Sequence, residues 1–205
     1  MRLVEHDWSD CLNFGDLGEK LAKNLIHLLT TNISQLTFSK NPSFQRQGKD
    51  LLLNICDIFS VSVEVKTREH NIIAYWHDGV DFLIETISVI EQDTPGWIFT
   101  SKADILFYGV LNERKDDWSC AWVFNLEKLQ TWFKSQNQDG FQAKITHTRD
   151  KGYSTAFCIV PKEIIPQHII SEVKSLKQPK KGTSLLDESL WAGLPKLKQE
   201  QEEVS

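Results

Sequence analysis

The stretch that most constrains this chain runs from Phe44 to Arg68, FQRQGKDLLLNICDIFSVSVEVKTR. Its second half alternates, with Val61, Val63 and Val65 on one side and Ser60, Ser62, Glu64, Lys66 and Arg68 on the other. Successive side chains of a strand point to opposite faces, so residues two apart share one. The spacing predicts strands over about 49–55 and 58–67, joined through a turn region from Asn54 to Asp57. If the two strands pair, Asp50 points to the same side as Glu64 and Lys66. A carboxylate and an ammonium side by side on an otherwise apolar strand call for a reason. A hydrolytic metal site is one, and the rest of the chain can test it.

Around this stretch the elements alternate between the two periodicities. Asp16 reads as an N-cap and Glu19 as the partner of a capping box. From there to about Thr31, Leu17, Leu21, Leu25 and Leu28, with Ala22, Ile26 and Leu29, repeat at helical spacing. Residues 32–47 read as polar and irregular. Further strands are expected over 80–88, 104–111, 118–124, 142–148 and 154–160, with a charged hairpin tip at Glu113–Asp117 and a turn opening 95–103. Asn125 caps a helix to about Gln136, and Pro161 opens a last helical stretch to about Leu176, interrupted near Pro166. Helix, strands, helix, strands, helix is the order of an α/β or α+β fold, a mixed central β-sheet flanked by helices. The domain is expected to span 1–176. Residues 177–205 are polar and charged and read as a flexible tail, with one apolar island around Trp191.

Composition narrows the function classes. The 205 residues are 40% apolar and 25% charged, as in an ordinary globular chain. Cys11, Cys56, Cys120 and Cys158 stand far apart with no C-x-x-C, which fits free thiols in a reducing compartment better than a disulfide frame or a zinc site. No apolar leader or membrane-length run is present, so a cytoplasmic protein with no membrane partner is the expectation. The net charge of −5 argues against broad, non-specific nucleic-acid binding. It leaves room for a local basic patch beside a metal-binding acidic cluster. Phosphate-binding glycine loops, G-x-S-x-G and histidine pairs at ligand spacing are missing, so hydrolase and ATPase classes that use them lack support. The seven tryptophans sit mostly among apolar residues and read as core more than as base-stacking surfaces.

The triplet acid-x-Lys is weak by itself. It occurs at Glu64-Val65-Lys66, at Glu113-Arg114-Lys115 and at Glu172-Val173-Lys174. The latter two fall on a charged turn and an expected surface helix, where they are solvated charges. Only the first lies in an apolar strand with an Asp on the strand before it. Two carboxylates on adjacent strands are hard-oxygen ligands of the kind Mg²⁺ takes, together with waters and phosphate oxygens. Lys66 would orient or activate a water, or stabilise charge on a phosphoryl transition state. The competing reading is a structural salt bridge on the solvated face of an antiparallel sheet. Glu19 reads either as a first-turn cap or as an acid at the edge of the helix's buried face. Glu85, mid-strand among Phe82, Leu83, Ile84 and Ile87, reads either as a paired glutamate or as part of the site.

Glu19 on a first helix, then Asp50, then Glu64-x-Lys66 resembles the PD-(D/E)xK nuclease superfamily, the restriction-endonuclease-like fold. The spacing is most similar to phage-type Holliday-junction resolving endonucleases. The resemblance covers roughly residues 16–110 and departs from the motif in having Lys49, not proline, before Asp50. It implies a metal-dependent DNA endonuclease using Mg²⁺, or Mn²⁺ in its place, on branched or structured DNA, acting as a homodimer. Asp50 and Glu64 would be metal ligands with the Val65 carbonyl as a third, Lys66 the catalytic lysine, and Glu19 a further acid. The run Gln45-Arg46-Gln47-Gly48 also looks like that of related phage and bacterial proteins, which would put Gln47 or Arg46 near the phosphate. The alternative is a non-catalytic interaction protein of the same fold, docking a partner through its surface or its tail.

Overall fold

The computed structural model describes residues 4–6, 8–29, 33–38, 41–55, 59–75, 79–136, 140–148 and 152–173. In chain order the elements are β1 (Val4–His6), α1 (Trp8–Leu29), β2 (Ile33–Phe38), α2 (Pro42–Gln45), β3 (Leu51–Ile55), β4 (Phe59–Arg68), β5 (Asp81–Val89), β6 (Thr94–Pro95), α3 (Trp97–Thr100), β7 (Ile105–Leu111), β8 (Trp118–Asn125), α4 (Leu126–Ser135), β9 (Gln142–Thr148), β10 (Tyr153–Pro161) and β11 (Ile170–Glu172). The class is α+β, as expected, but the strands form two mixed sheets where a single central one was expected. One has the order β1-β9-β10-β5-β6 and the other β11-β8-β7-β4-β3-β2. No helix among the described residues is long and apolar enough to cross a membrane.

Strand β4 is the hinge of this arrangement. It pairs antiparallel with β3, Leu51 opposite Val63, and parallel with β7, Val63 beside Ile105. Paired on both edges, it has two faces to bury. Val61, Val63 and Val65 join Leu51, Leu53, Ile105 and Phe107 in a core under α1, which contributes Ala22, Leu25 and Ile26. A second core lies on the other side of this sheet and takes Phe82 and Ile84 from β5, Cys158 and Val160 from β10, and Tyr108, Trp122 and Phe124 from β7 and β8. Phe82 sits edge-on to Tyr108, Trp122 and Phe124, each at 5.1 Å, so one ring locks the two sheets together. Trp97, Trp118 and Trp122 are core residues, as the sequence suggests.

The local differences have local causes. Helix α1 starts at Trp8, well before Asp16, which lies within it and caps nothing. No proline stands between Trp8 and Asp16 to stop it. Residues expected to be irregular include β2 and α2. Leu36 and Phe38 do alternate with Gln35 and Thr37, but a bulge between Ile33 and Gln35 breaks the parity that would reveal the strand. Helix α2 is set by Asn41, whose side chain accepts from the Ser43 amide, and by Pro42 in its first turn. Among the described residues after Pro161 there is no α-helix but a 3-10 turn, Lys162–Ile164, and then β11 on the edge of β8. Pro166 and the β-branched pair Ile169-Ile170 decide for strand. Glu172 is therefore on a strand edge, where it pairs with Lys162 at 2.7 Å. Lys174, the 177–205 tail with Trp191, Cys56 and His77-Asp78 lie outside the described residues.

Candidate active site

The apolar face of β4 positions the polar one. Helix α1 crosses β4 at Gly18, where a Cβ would collide with the Thr67 side chain. This close approach needs glycine, and it brings the next residue, Glu19, to the C-terminal half of β4. From the other edge, β3 supplies Asp50. Its backbone amide donates to the Val63 carbonyl at 2.9 Å, and its Oδ2 accepts from the Val65 amide at 2.7 Å. The carboxylate thus continues the ladder one step beyond the last backbone pair, which fixes its rotamer against β4.

Glu64 and Lys66 stand on the face opposite the valines. Glu64 is only 2% exposed, and its Oε1 pairs with Lys66 Nζ at 2.5 Å, while Lys66 keeps 26% of its side-chain surface open. The ion pair of the competing reading is present, but its carboxylate is buried and only the lysine side is partly open. Two residues before it, Ser62 is fully satisfied by Asp104, whose Oδ2 accepts from both the Ser62 amide (2.7 Å) and hydroxyl (2.6 Å). Glu64 is less well served: the Ser101 hydroxyl is the donor placed to reach its carboxylate, and its buried Oε2 makes no hydrogen bond of good geometry. That oxygen is roofed by Gly48, held at φ +70°, where a Cβ would collide with both the Glu64 carboxylate and the Ser101 hydroxyl. Gly48 and Ser101 carry no motif signal; only the left-handed turn in Gln45-Arg46-Gln47-Gly48 hints at the first.

Four carboxylates converge electrostatically on one ammonium. Burial, then the charges of Asp50 and Asp16, push Glu19 up to about 7, with Lys66 pulling the other way. Burial likewise raises Asp50, against Lys66 and the Val65 amide. Glu64 is raised by burial and by Asp50, against Lys66 and Ser101. Burial alone would lower Lys66, but Glu64 first, then Asp50 and Glu85, more than reverse it. Lys66 is therefore held as a cation, and it lies 5.8 Å from the centre of the Trp97 ring. Glu85 reaches this group from β5. Its Oε1 accepts from the Ser88 hydroxyl and from the Trp97 amide at 3.3 Å.

The structure thus gathers Glu19, Asp50, Glu64, Lys66 and Glu85, with the Val65 amide tied to Asp50. It does not gather Arg46 and Gln47. Arg46 is exposed and its Nε bonds back to the Pro42 carbonyl at 3.3 Å, while the Gln47 amide reaches Ser43 at 3.5 Å. Neither makes a hydrogen bond or ion pair to Asp50, Glu64 or Lys66. A turn closing onto α2 satisfies these side chains locally before they can extend across Gly48.

No protein-family model matches the chain, and no curated protein matches it significantly. The site has to be argued from its own chemistry. Hard divalent ions take oxygen ligands, and Mg²⁺ commonly needs only one or two carboxylates, the remainder being water and phosphate oxygens. Asp50 and Glu64 offer two such carboxylates. No three His, Cys, Asp or Glu side chains among the described residues are close enough to form a complete protein cage. The donor set fits a site completed by solvent and substrate.

Proposed function

We propose that this protein is a metal-dependent phosphodiester hydrolase acting on DNA, with branched or structured DNA as its substrate. The observation that carries the reading is the buried Glu64, ion-paired to Lys66 through one oxygen, within a group where acids outnumber their one cation. Such a crowd of carboxylates is costly unless protons or a further cation relieve it. The order Glu19, Asp50, Glu64-x-Lys66 and its resemblance to the PD-(D/E)xK superfamily support the same reading.

In this reading Asp50, Glu64 and the Val65 carbonyl hold Mg²⁺, with Mn²⁺ as a substitute. When bound, such an ion lowers the pKa of its water and polarises the phosphoryl oxygens. Lys66, kept protonated by its carboxylate neighbours, is suited to stabilise negative charge gathering on the phosphate, not to act as a general base. Glu19, poised near neutrality, is the group best matched to take or return a proton at physiological pH. Glu85 adds to the negative charge that keeps Lys66 protonated, and its own bonds to Ser88 and the Trp97 amide keep it in place.

Incubation with plasmid, single-stranded and four-way-junction DNA, with and without Mg²⁺ or Mn²⁺, tests the proposal beside Glu64→Ala. Cleavage that needs metal and disappears in the variant supports it. No cleavage of any substrate, or equal cleavage by Glu64→Ala, overturns it.

A further inference from the structure

The segment between α3 and β7 reaches Glu64 from a direction that strand parity does not reveal. Ser101, at the end of α3, is buried. Its amide donates to the Trp97 carbonyl at 2.9 Å, and its carbonyl accepts from the side-chain amide of Gln130 on α4, also at 2.9 Å. Lys102 donates its amide to the Gln47 carbonyl at 2.8 Å. Asp104 donates its amide to the Ser62 carbonyl of β4 and accepts from the Leu126 amide of α4, each at 3.1 Å. The backbone from Ser101 to Asp104 is thus tied to α3, to α4, to the turn before β3 and to β4. None of these bonds uses the Ser101 hydroxyl.

That hydroxyl accepts from the Ala103 amide at 3.4 Å. The bond is long beside the usual 2.9–3.0 Å or so of an N–H···O pair, and it leaves the hydroxyl proton to be given elsewhere. Glu64 is the acceptor at hand. A Cβ added to Gly48 would strike both Glu64 Oε2 and Ser101 Oγ, so the two oxygens border the same small space under the turn. Burial raises the Glu64 carboxyl, and the charge and hydrogen bond of Lys66, then the hydroxyl of Ser101, pull it back. Lys66 holds Oε1 at 2.5 Å on one side, and Gly48 with Ser101 bounds the other. A carboxylate oxygen has two acceptor positions, so a hydroxyl on one leaves the other open to a cation. Hydrogen bonds of this kind orient the carboxylates that bind metals, and losing one costs about 10–100-fold in affinity or activity.

We propose that Ser101 is a positioning residue for the metal site: its hydroxyl holds the Glu64 carboxylate in one orientation and so preorganises it as a ligand for a divalent cation. The cation is that of the hydrolytic reading, on which this role rests. Ser101 touches neither cation nor substrate and acts through Glu64 alone. The bond from Gln130 gives α4 a part in the site, because it fixes where the Ser101 hydroxyl stands.

Mn²⁺ binding to the full chain without DNA, read by the electron paramagnetic resonance of the free ion, tests this role apart from cleavage. Ser101→Ala, checked for folding by circular dichroism, is expected to bind Mn²⁺ about tenfold more weakly. The half-saturating Mg²⁺ concentration for cleavage should rise by the same factor. Ser101→Thr, which keeps a hydroxyl, should restore both to within about threefold of the unaltered protein. A merely structural serine would lower the melting temperature of Ser101→Ala and leave its Mn²⁺ affinity unchanged. Equal Mn²⁺ affinity in folded Ser101→Ala and the unaltered protein, or Ser101→Thr as weak as Ser101→Ala, overturns the proposal. Metal-dependent cleavage with Mn²⁺ affinity unchanged in Ser101→Ala removes the positioning role alone. Ser101-dependent Mn²⁺ binding without cleavage of any DNA removes the hydrolytic reading alone, and no Mn²⁺ binding by the unaltered protein overturns both.

Discussion

Two ion pairs begin within five residues of each other in this chain and could hardly sit more differently. Glu69 pairs with Lys115 of the β7–β8 turn at 2.7 Å, with 39% and 52% of their side chains exposed. Glu64 pairs with Lys66 at 2.5 Å with 2% and 26% exposed. The chemistry is the same and the separations are nearly so, so the environment decides what each pair does. The exposed pair is screened by water and contributes about 0–1 kcal/mol. The buried pair has given up solvation that one partner alone does not return, and it has three further carboxylates nearby. Glu69–Lys115 is ordinary surface. Glu64–Lys66 keeps a cost that stability alone does not explain.

The sharpest way to break this comparison is to remove each cation in turn. Lys66→Met should lose about 3–5 kcal/mol in urea unfolding at pH 8, since it strands buried carboxylates. The loss should shrink towards pH 5 as those carboxylates take up protons. Lys115→Met should lose less than about 0.5 kcal/mol at either pH. Equal small losses would erase the distinction between the pairs.

Next in size is the turn that roofs Glu64. Gly48→Ala meets both a left-handed backbone at φ +70° and a collision with Glu64 and Ser101, whereas Gly152 at φ +66° has nothing near its missing Cβ. Gly152→Ala should lose about 1 kcal/mol, the backbone cost alone. Gly48→Ala should lose about 2–3 kcal/mol. Thermal melts of the two variants read the difference as the tightness of packing over Oε2.

The smallest effect concerns Glu19. Its folded pKa of about 7 lies above the unfolded 4.5, so the native state binds the extra proton between those values. Stability from this group is therefore highest at low pH and falls as pH rises from about 4.5 to 7. Glu19→Gln should be more stable than the unaltered protein by about 1 kcal/mol at pH 8, a figure discounted for its partial exposure. At pH 4.5 the advantage should vanish. An advantage that persists at low pH would show that Glu19 is not the titrating group.

Much of this site was legible because strand parity is rigid. Once β4 is recognised, Val61, Val63 and Val65 must oppose Glu64 and Lys66, and Asp50 must fall on their side if β3 pairs antiparallel. Glu19 was half legible: helical periodicity put it at the edge of the buried face, but the cap reading failed because α1 begins eight residues earlier. What parity cannot show is what arrives from distant sequence. Ser101, Trp97 and Gly48 reach Glu64 and Lys66 through loops and a left-handed turn. Phe157 meets Arg68 through a register set across a second sheet. That sheet was itself unforeseen, since strand patterns give pairings only where a short turn forces them. Arg46 and Gln47 bond locally within the four-residue helix and its turn, which sequence spacing does not show.

The central claim is that Glu64 belongs to a reactive cation site and Glu69 does not. The direct measurement is the rate of Mg²⁺-dependent DNA cleavage by Glu64→Gln and by Glu69→Gln, with folding of both verified by circular dichroism. Glu64→Gln should be at least about a hundredfold slower than the unaltered protein, and Glu69→Gln should stay within about twofold, as expected for a screened surface charge. Cleavage by folded Glu64→Gln at the rate of Glu69→Gln would contradict the account.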